Sequence, residues 1–288
     1  MKNLVLSLLC VFIFSPFASS QQSRVYDKLS MESAILNMTR NYAVYLPAGY
    51  DESERSYPVL YLLHGAGDDQ TGWIQFGEVQ HIADRAIAAG TATAMIIIMP
   101  DANTGQRGYF NDVNNEWRYE DFFFEELLPF VEQKYRIKTE KRYRAIAGLS
   151  MGGGGSFFYA MHRPDLFSSA CPLSASLRSN TFEMFKKGLE NNGVNVKSPN
   201  MLQAYYDRHQ ALRQIELNSI EDMKSVRWYF DCGDDDFLYE GNSLVHIALR
   251  QKEVPHEFRI RDGGHTWGYW RSSLPEVLSF VSESFHQR

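Results

Sequence analysis

Residues 143–152 read Tyr143-Arg144-Ala145-Ile146-Ala147-Gly148-Leu149-Ser150-Met151-Gly152, a short apolar strand that runs into the pattern Gly-x-Ser-x-Gly. The run from Gly153 to His162 predicts a helix that begins very close to the sheet. A strand, this pattern and a helix in succession indicate a nucleophile elbow, in which Gly148 and Gly152 relieve a turn too sharp for side chains. The turn lifts the Ser150 hydroxyl clear of the sheet and points a helix N-terminus at it. The alternative is a glycine-rich turn with an incidental serine, and the flanking strand and helix disfavour it.

A serine nucleophile needs a base, and the base needs a third group that orients it. After an elbow of this kind the acid and then the histidine follow along the chain, each on a loop at the carboxyl end of a strand. His265 follows a predicted strand and a Gly263-Gly264 turn near the C-terminus, a position that none of the other seven histidines shares. The sequence therefore predicts His265 as the base.

The acid is expected just after the predicted strand Val226–Asp231, where Asp234, Asp235 and Asp236 are consecutive. Three adjacent carboxylates cannot all be buried, so a solvated turn is the ordinary account of such a cluster. A calcium loop is conceivable, but the ligand spacing of an EF-hand is absent. Spacing alone does not separate Asp235 from Asp236.

An oxyanion hole requires two backbone N–H groups, one from the residue after the nucleophile and one from a loop after an earlier strand. Met151 follows Ser150 and supplies the first. The apolar run Val59–Leu63 predicts a buried parallel strand, and it leads into His64-Gly65-Ala66-Gly67. Ala66 is therefore the candidate for the second donor, although a plain glycine turn would also account for an isolated His-Gly pair.

These motifs together resemble the esterase D-like superfamily of α/β-hydrolases, with the closest likeness to the secreted feruloyl and acetylxylan esterases of carbohydrate esterase family one. The resemblance rests on His64–Trp73, Gly148–Gly153, Cys232-Gly233-x-x-Asp236 and Gly263-Gly264-His265-x-Trp267. It also includes Arg40–Tyr50, which is similar to the first strand pair of that family, and it covers about residues 30–285.

The resemblance implies an α/β-hydrolase fold, a mostly parallel central sheet with helices on both faces. It implies Asp236 as the acid, with Ser150 and His265 completing the triad and Ala66 and Met151 in the oxyanion hole. The implied function is a serine esterase that removes feruloyl or acetyl groups from plant cell-wall polysaccharide such as xylan. Acyltransferases and siderophore esterases resemble the same superfamily, so they remain alternatives. A catalytically inactive carbohydrate-binding module on this fold is another, and the intact triad disfavours it.

Composition is compatible with one catalytic domain over residues 21–288. The chain has 288 residues, 44% of them hydrophobic, and a net charge of −6, which argues against nucleic acid as a partner. Residues 1–20 have the charged start, short apolar core and small-residue end of a secretory signal peptide. We therefore expect a secreted or periplasmic protein with no membrane contact after cleavage. Cys10 lies within the apolar core, too early for a convincing lipid-attachment site.

Cys171 and Cys232 are the cysteines outside the signal peptide, and both fall at or near predicted interior strands. Export permits a disulfide, but neighbouring strands rarely offer its geometry, so buried free thiols are favoured. No His-Glu-x-x-His or paired Cys-x-x-Cys motif is present. The sequence therefore predicts neither a metal nor a cofactor.

The remainder alternates strands and helices, as a mostly parallel sheet requires. The further predicted strands are Ala94–Met99, Ser168–Leu173 and His256–Ile260, and the predicted helices are Phe122–Tyr135, Thr181–Asn191, Met201–Glu216 and Ser273–Phe285. About fifty residues, 176–225, separate two strands, far more than an ordinary connection. This segment is either a cap over the nucleophile or a group of surface helices with no role in substrate choice.

Trp73 and Trp267 lie on the predicted loops at the catalytic edge of the sheet. Most tryptophans pack in the core, but these two are placed to stack on a sugar or phenolic ring. The sequence predicts substrate contact for them, with core packing as the alternative.

Overall fold

The computed structural model of the protein describes residues 22–103, 108–177 and 181–286. Its strands are β1 (Arg24–Ser33), β2 (Met38–Leu46), β3 (Val59–Leu63), β4 (Ile96–Pro100), β5 (Arg144–Leu149), β6 (Ser169–Leu173), β7 (Arg227–Gly233) and β8 (His256–Arg261). They form one sheet in the order β1-β2-β4-β3-β5-β6-β7-β8. β3 to β8 pair in parallel, whereas β1 and β2 are antiparallel to their neighbours. The predicted mostly parallel sheet is confirmed.

Helices cover both faces of this sheet. They are α1 (Gly72–Gln75), α2 (Val79–Ala88), α3 (Tyr119–Asp121), α4 (Leu128–Lys134), α5 (Met151–His162), α6 (Phe182–Asn191), α7 (Pro199–His209), α8 (Ala211–Leu217), α9 (Ile220–Lys224), α10 (Tyr239–Gln251) and α11 (Trp267–His286). One core forms where α2 and α11 pack on the sheet, and the other where α4, α5 and α10 pack on the opposite face. Every residue of β3, β5 and β6 is buried, as strands covered on both faces must be.

Strand order places the site. The carboxyl ends of β3 and β5 are adjacent, and those of β7 and β8 lie further along the same edge. The loops that carry the oxyanion motif, the elbow, the acid and the histidine therefore converge, as ligand sites of open α/β sheets do.

The strand pair predicted within Arg40–Tyr50 is wrong. That segment holds one strand, β2, and its antiparallel partner is β1. The first residues of β1 alternate between exposed and half-buried. An edge strand of this kind lacks the apolar run that identified the interior strands.

Three helix predictions need correction in their bounds. Phe122–Tyr135 contains a π-helical turn, Phe122–Leu127, before α4; the ring of Pro129 carries no N–H for the regular helical pattern. Met201–Glu216 is two helices, because Gln210 is extended and separates α7 from α8. The last helix begins at Trp267 rather than Ser273.

The segment 176–225 contains α6, α7, α8 and α9. The loop between α6 and α7 lies beside the loop after β4: Asn114 bonds the backbone of Asn195 and Lys197, and Lys197 pairs with Glu116 at 2.7 Å. A cavity of about 310 Å³ lies between α6 and α7. None of the described residues of this segment lines the cavity beside Ser150.

Cys171 and Cys232 are buried free thiols on the neighbouring strands β6 and β7. Burial raises the pKa of Cys232 to about 12 and raises that of Cys171 as well, so both stay protonated at neutral pH.

Among the described helices, none combines the length and the apolar composition that a membrane span requires. The predicted signal peptide, residues 1–20 with Cys10, lies outside the described residues.

Candidate active site

Ser150 occupies the turn between β5 and α5 with φ 55° and ψ −115°. A non-glycine residue at this φ is strained, which is the signature of a nucleophile held on an elbow. The flanking glycines are required: a Cβ on Gly148 would lie 2.4 Å from the Gly152 oxygen, and one on Gly152 would lie 2.5 Å from the His64 oxygen. The elbow therefore depends on glycine at both positions, because neither has room for a side chain.

His265 connects the nucleophile to the acid. Ser150 Oγ lies 2.9 Å from His265 Nε2, and His265 Nδ1 lies 2.8 Å from Asp236 Oδ2. With the ring protonated at Nδ1, that nitrogen donates to the carboxylate and Nε2 accepts the serine proton. The predicted three residues therefore form one continuous chain of hydrogen bonds, the arrangement of a serine triad.

Burial separates the three consecutive aspartates. Asp236 is fully buried, whereas Asp234 and Asp235 are exposed. Burial would raise the pKa of Asp236, but hydrogen bonds from His265, the Leu238 N–H and Ser174 outweigh it and lower the pKa. A carboxylate held ionised in this way is suited to stabilise the imidazolium that forms during attack.

The oxyanion loop lies directly against the elbow. A Cβ on Gly65 would stand 2.6 Å from Leu149 Cδ1 and 3.5 Å from Ser150 Cβ, so a side chain here would displace Leu149, whereas glycine leaves room for the backbone beside the nucleophile. Ala66 follows on this loop and borders the same cavity as Ser150. Met151 is the first residue of α5, so its N–H has no partner within the helix. The two N–H groups predicted as donors thus lie on the two segments that meet at Ser150.

His64 holds this loop in place and takes no part in the triad. Its Nε2 accepts the Ala102 N–H at 2.9 Å, and its Nδ1 donates to the Gly65 oxygen at 2.8 Å. The Tyr109 hydroxyl accepts the His64 N–H at 2.8 Å and lies 3.1 Å from its carbonyl oxygen. Burial lowers the pKa of His64, which keeps the ring neutral with one donor and one acceptor. The His-Gly motif was identifiable from the sequence, but the hydrogen bonds that join Tyr109 to this loop were not.

The two predicted substrate-binding tryptophans differ in position. Trp73 is 1% exposed, and its indole N–H donates to the Leu63 oxygen at 2.9 Å. The prediction that Trp73 stacks on substrate is therefore wrong, because the ring is core and its polar atom is satisfied. Trp267 is half-buried, packs edge-on against Trp73 with ring centroids 5.2 Å apart, and borders the active-site cavity.

The cavity beside Ser150 has a volume of about 270 Å³. Its lining is Gly65, Ala66, Asp68, Leu149, Ser150, His265, Thr266, Trp267 and Trp270. Asp68 was not predicted, and burial raises the pKa of its carboxyl. Trp270 packs edge-on against the His265 ring at 4.8 Å and donates its N–H to Ser174 at 3.0 Å.

A further aromatic ring contacts the base from outside this cavity. Phe237 follows Asp236 directly, and its ring centroid lies 4.5 Å from that of His265. Phe237 was not predicted, since no residue pattern distinguishes it from any other loop phenylalanine.

Comparison with known proteins identifies relatives. The chain matches the Esterase family, described as "Putative esterase", over residues 33–281. An "Endo-1,4-beta-xylanase/feruloyl esterase" of Xylanibacter ruminicola is 35% identical over 133 residues, 43% of this chain and 18% of that protein. An esterase of Mycobacterium tuberculosis is 39% identical over 248 residues, 78% of this chain and 52% of that protein. The chain thus spans about half, or less, of the length of these curated relatives.

Among solved structures, a ferulic acid esterase superposes with a TM-score of 0.80 and is 37% identical, and the match covers 92% of this chain and 99% of that one. The likeness therefore extends over the whole catalytic fold, beyond the short motifs around the serine.

Proposed function

Because the chain belongs to the Esterase family, we propose that it is a secreted serine esterase that removes feruloyl or acetyl groups from plant cell-wall polysaccharide such as xylan. Membership of the Esterase family and the resemblance predicted from the sequence are confirmed by the family match and by the likeness to a ferulic acid esterase. Serine esterase activity, the acyl group, the polysaccharide and export are the proposed part.

The geometry gives the order of the chemical steps. Ser150 Oγ attacks the ester carbonyl while His265 Nε2 takes its proton, and Asp236 stabilises the imidazolium. The Ala66 and Met151 N–H groups stabilise the oxyanion, each donor being worth about 3–4 kcal/mol in comparable sites. His265 then protonates the departing alcohol oxygen, and water repeats the sequence on the acyl-enzyme to release the acid.

One observation carries the substrate class: the 37% identity to a ferulic acid esterase along 99% of that chain. The name of the Xylanibacter relative joins a feruloyl esterase to a xylanase, and this association supports xylan as the polymer. Half-buried Trp267 at the cavity offers an aromatic surface for the phenolic or sugar ring. Export rests on the pattern of residues 1–20 alone, and it agrees with a polymeric substrate found outside cells.

The test measures the hydrolysis of different esters by the purified mature protein. We expect feruloylated and acetylated xylo-oligosaccharides to be hydrolysed with a much higher kcat/KM than 4-nitrophenyl palmitate, and Ser150→Ala to abolish turnover of all of them. A preference for long acyl chains would contradict the proposal and indicate a lipid or mycolyl substrate. Transfer of the acyl group to a sugar rather than to water would indicate an acyltransferase.

Trp267 provides a second readout of the same proposal. Trp267→Ala should raise KM for a feruloylated oligosaccharide more than for 4-nitrophenyl acetate, because only the larger ester reaches the ring. Equal effects on both esters would reduce Trp267 to packing against Trp73.

A further inference from the structure

Phe237 is 72% exposed, the highest value among the large apolar side chains that the structure describes. Single exposed apolar residues are ordinary on protein surfaces. This one is unusual in its neighbour, because its ring stands 4.5 Å from the imidazole of the catalytic base at an interplanar angle of 49°. The most exposed apolar ring of the described chain therefore lies on the group that transfers the proton.

The backbone fixes this position. The Leu238 N–H donates to Asp236 Oδ1 at 2.8 Å, and the Tyr239 N–H donates to the Asp236 carbonyl at 2.9 Å. Phe237 is the second of the four residues of this turn, so the buried acid that orients His265 also fixes the position of the Phe237 backbone. No rearrangement of the turn is needed to present the ring.

Phe237 is not required to hold the imidazole. His265 is already bonded at both nitrogens, to Asp236 and to Ser150, and Trp270 packs edge-on against it at 4.8 Å. Trp270 is 5% exposed and borders the cavity, whereas Phe237 lies outside the cavity lining. The base thus has an interior ring that positions it and an outer ring that faces solvent.

The reaction determines which part of an ester lies beside the Phe237 ring. The acyl group stays attached to Ser150 Oγ, while the alcohol oxygen must come within hydrogen-bond reach of His265 Nε2 to receive its proton. A ring packed on the imidazole therefore lies beside an alcohol that extends beyond this oxygen, as a sugar does. We propose that Phe237 is a specificity residue that binds the leaving alcohol of the substrate, a sugar ring in an acylated glycan, by stacking against it. This inference rests on the proposed function, since a small alcohol would not reach the ring.

The test uses two esters with the same acyl group and different alcohols, methyl ferulate and a feruloylated arabinoxylo-oligosaccharide. Phe237→Ala should raise KM for the oligosaccharide about three- to tenfold, the usual scale of one aromatic contact, with kcat unchanged. For methyl ferulate, KM and kcat should stay within twofold of wild type. Phe237→Tyr keeps the ring and should restore the oligosaccharide KM.

Tyr26→Ala is the matched control, because Tyr26 is 41% exposed on β1 at the opposite end of the sheet. It should leave both substrates unaffected. A thermal melt of Phe237→Ala should coincide with wild type, since removal of an exposed ring leaves no cavity.

Equal losses on the two esters in Phe237→Ala would overturn the inference and make the ring a shield for His265, with the proposed function intact. If wild type accepts only acetyl esters, an acetylated xylo-oligosaccharide and methyl acetate replace the pair and decide the same question. A wild-type enzyme that hydrolyses the methyl esters but neither sugar ester would overturn both this inference and the proposed function.

Discussion

Among the residues that the structure describes, two histidine–carboxylate pairs share the same short contact but differ in its consequences. His265 Nδ1 lies 2.8 Å from Asp236, and His162 Nδ1 lies 2.8 Å from Glu120. The other ring nitrogen distinguishes them: that of His265 lies 2.9 Å from the Ser150 hydroxyl, whereas that of His162 lies 3.0 Å from the Arg208 carbonyl. Nε2 of His265 can therefore accept the proton of Ser150, whereas both ring nitrogens of His162 face oxygen acceptors.

The second pair connects helices; together, His162, Glu120 and Arg208 are called the clasp. Glu120 belongs to α3, His162 ends α5, and Arg208 of α7 bonds Glu120 at 2.6 Å. Both side chains of the His162–Glu120 pair are 2% exposed, against 18% for His265 in the triad. Burial would raise the pKa of Glu120, but the charges of His162 and Arg208 outweigh it and lower the pKa to about 2. A histidine–carboxylate contact is thus not itself a catalytic signal; the third group and access to substrate decide its role.

The largest expected difference between the pairs is in turnover. His265→Gln removes the base and should lower kcat on the scale of about 10⁶-fold seen for triad residues in comparable enzymes. His162→Gln should keep kcat within a few-fold of wild type, because His162 touches no reacting atom. Steady-state hydrolysis of 4-nitrophenyl acetate by both variants measures this difference in kcat. A comparable loss of kcat in His162→Gln would contradict the distinction between the two histidines.

The acid gives the next contrast. Asp236→Asn should lower kcat by about 10⁴-fold, since the amide disturbs the tautomer of His265. Asp234→Asn and Asp235→Asn should stay near wild type, because these side chains are exposed and do not contact His265. The same ester assay on the three variants decides the point. A severe loss at Asp235 with a mild one at Asp236 would move the acid by one residue.

The clasp should show its effect in stability. Glu120→Gln leaves the buried His162 without its carboxylate and should reduce the free energy of unfolding by about 3–5 kcal/mol, with kcat little changed. Glu116→Gln is the control: it breaks the exposed pair with Lys197, in which the side chains are 63% and 56% exposed, and should cost less than about 1 kcal/mol. Urea unfolding of both variants provides the comparison, and equal costs would contradict the role of the clasp.

His209 extends the contrast to pH. Burial, and then the charge of His162, lower the pKa of His209 to about 3, against 6.5 when unfolded. Between about pH 3 and pH 6.5, His209 is therefore protonated in the unfolded chain and neutral in the folded one. The free energy of unfolding consequently falls as the pH drops below about 6.5, by up to about 1.4 kcal/mol per pH unit. His209 packs against Phe110 with centroids 5.1 Å apart, so His209→Phe should reduce the loss between pH 7.5 and pH 5.

Unfolding at the two pH values measures this effect, with His81→Phe as the control because His81 is exposed on α2. The control should keep the wild-type pH dependence. An unchanged dependence in His209→Phe would place the acid sensitivity elsewhere.

How far the sequence could go follows from these same residues. Buried strands such as β3 and β5 were predictable because a short apolar run bounded by turns is typical of an interior strand, and the two glycines beside Ser150 admit no substitute. β1 was not predictable, because it is an edge strand whose first residues alternate only between exposed and half-buried. Local pattern also cannot show that Gln210 is extended, which divides one predicted helix into α7 and α8.

Within the site, chain order identified Ser150 and His265, but only burial separates Asp236 from its two exposed neighbours. Trp73 shows the reverse failure. A tryptophan beside a catalytic loop suits either stacking or packing, and the hydrogen bond to Leu63 that assigns it to the core joins residues ten positions apart. Burial, and contacts between residues that are separated in the sequence, could not be predicted from the sequence.

Intact-protein and peptide mass spectrometry after reaction with a serine-directed fluorophosphonate would identify the nucleophile itself. We predict one phosphonyl adduct on the peptide that contains Ser150, no adduct in Ser150→Ala, and a greatly slowed reaction in His265→Gln, since an unassisted serine is a weak nucleophile. His162→Gln should be labelled at the wild-type rate. An adduct on a different residue, or an unlabelled wild-type protein that still hydrolyses esters, would contradict the assignment of Ser150, activated by His265 and Asp236, as the nucleophile.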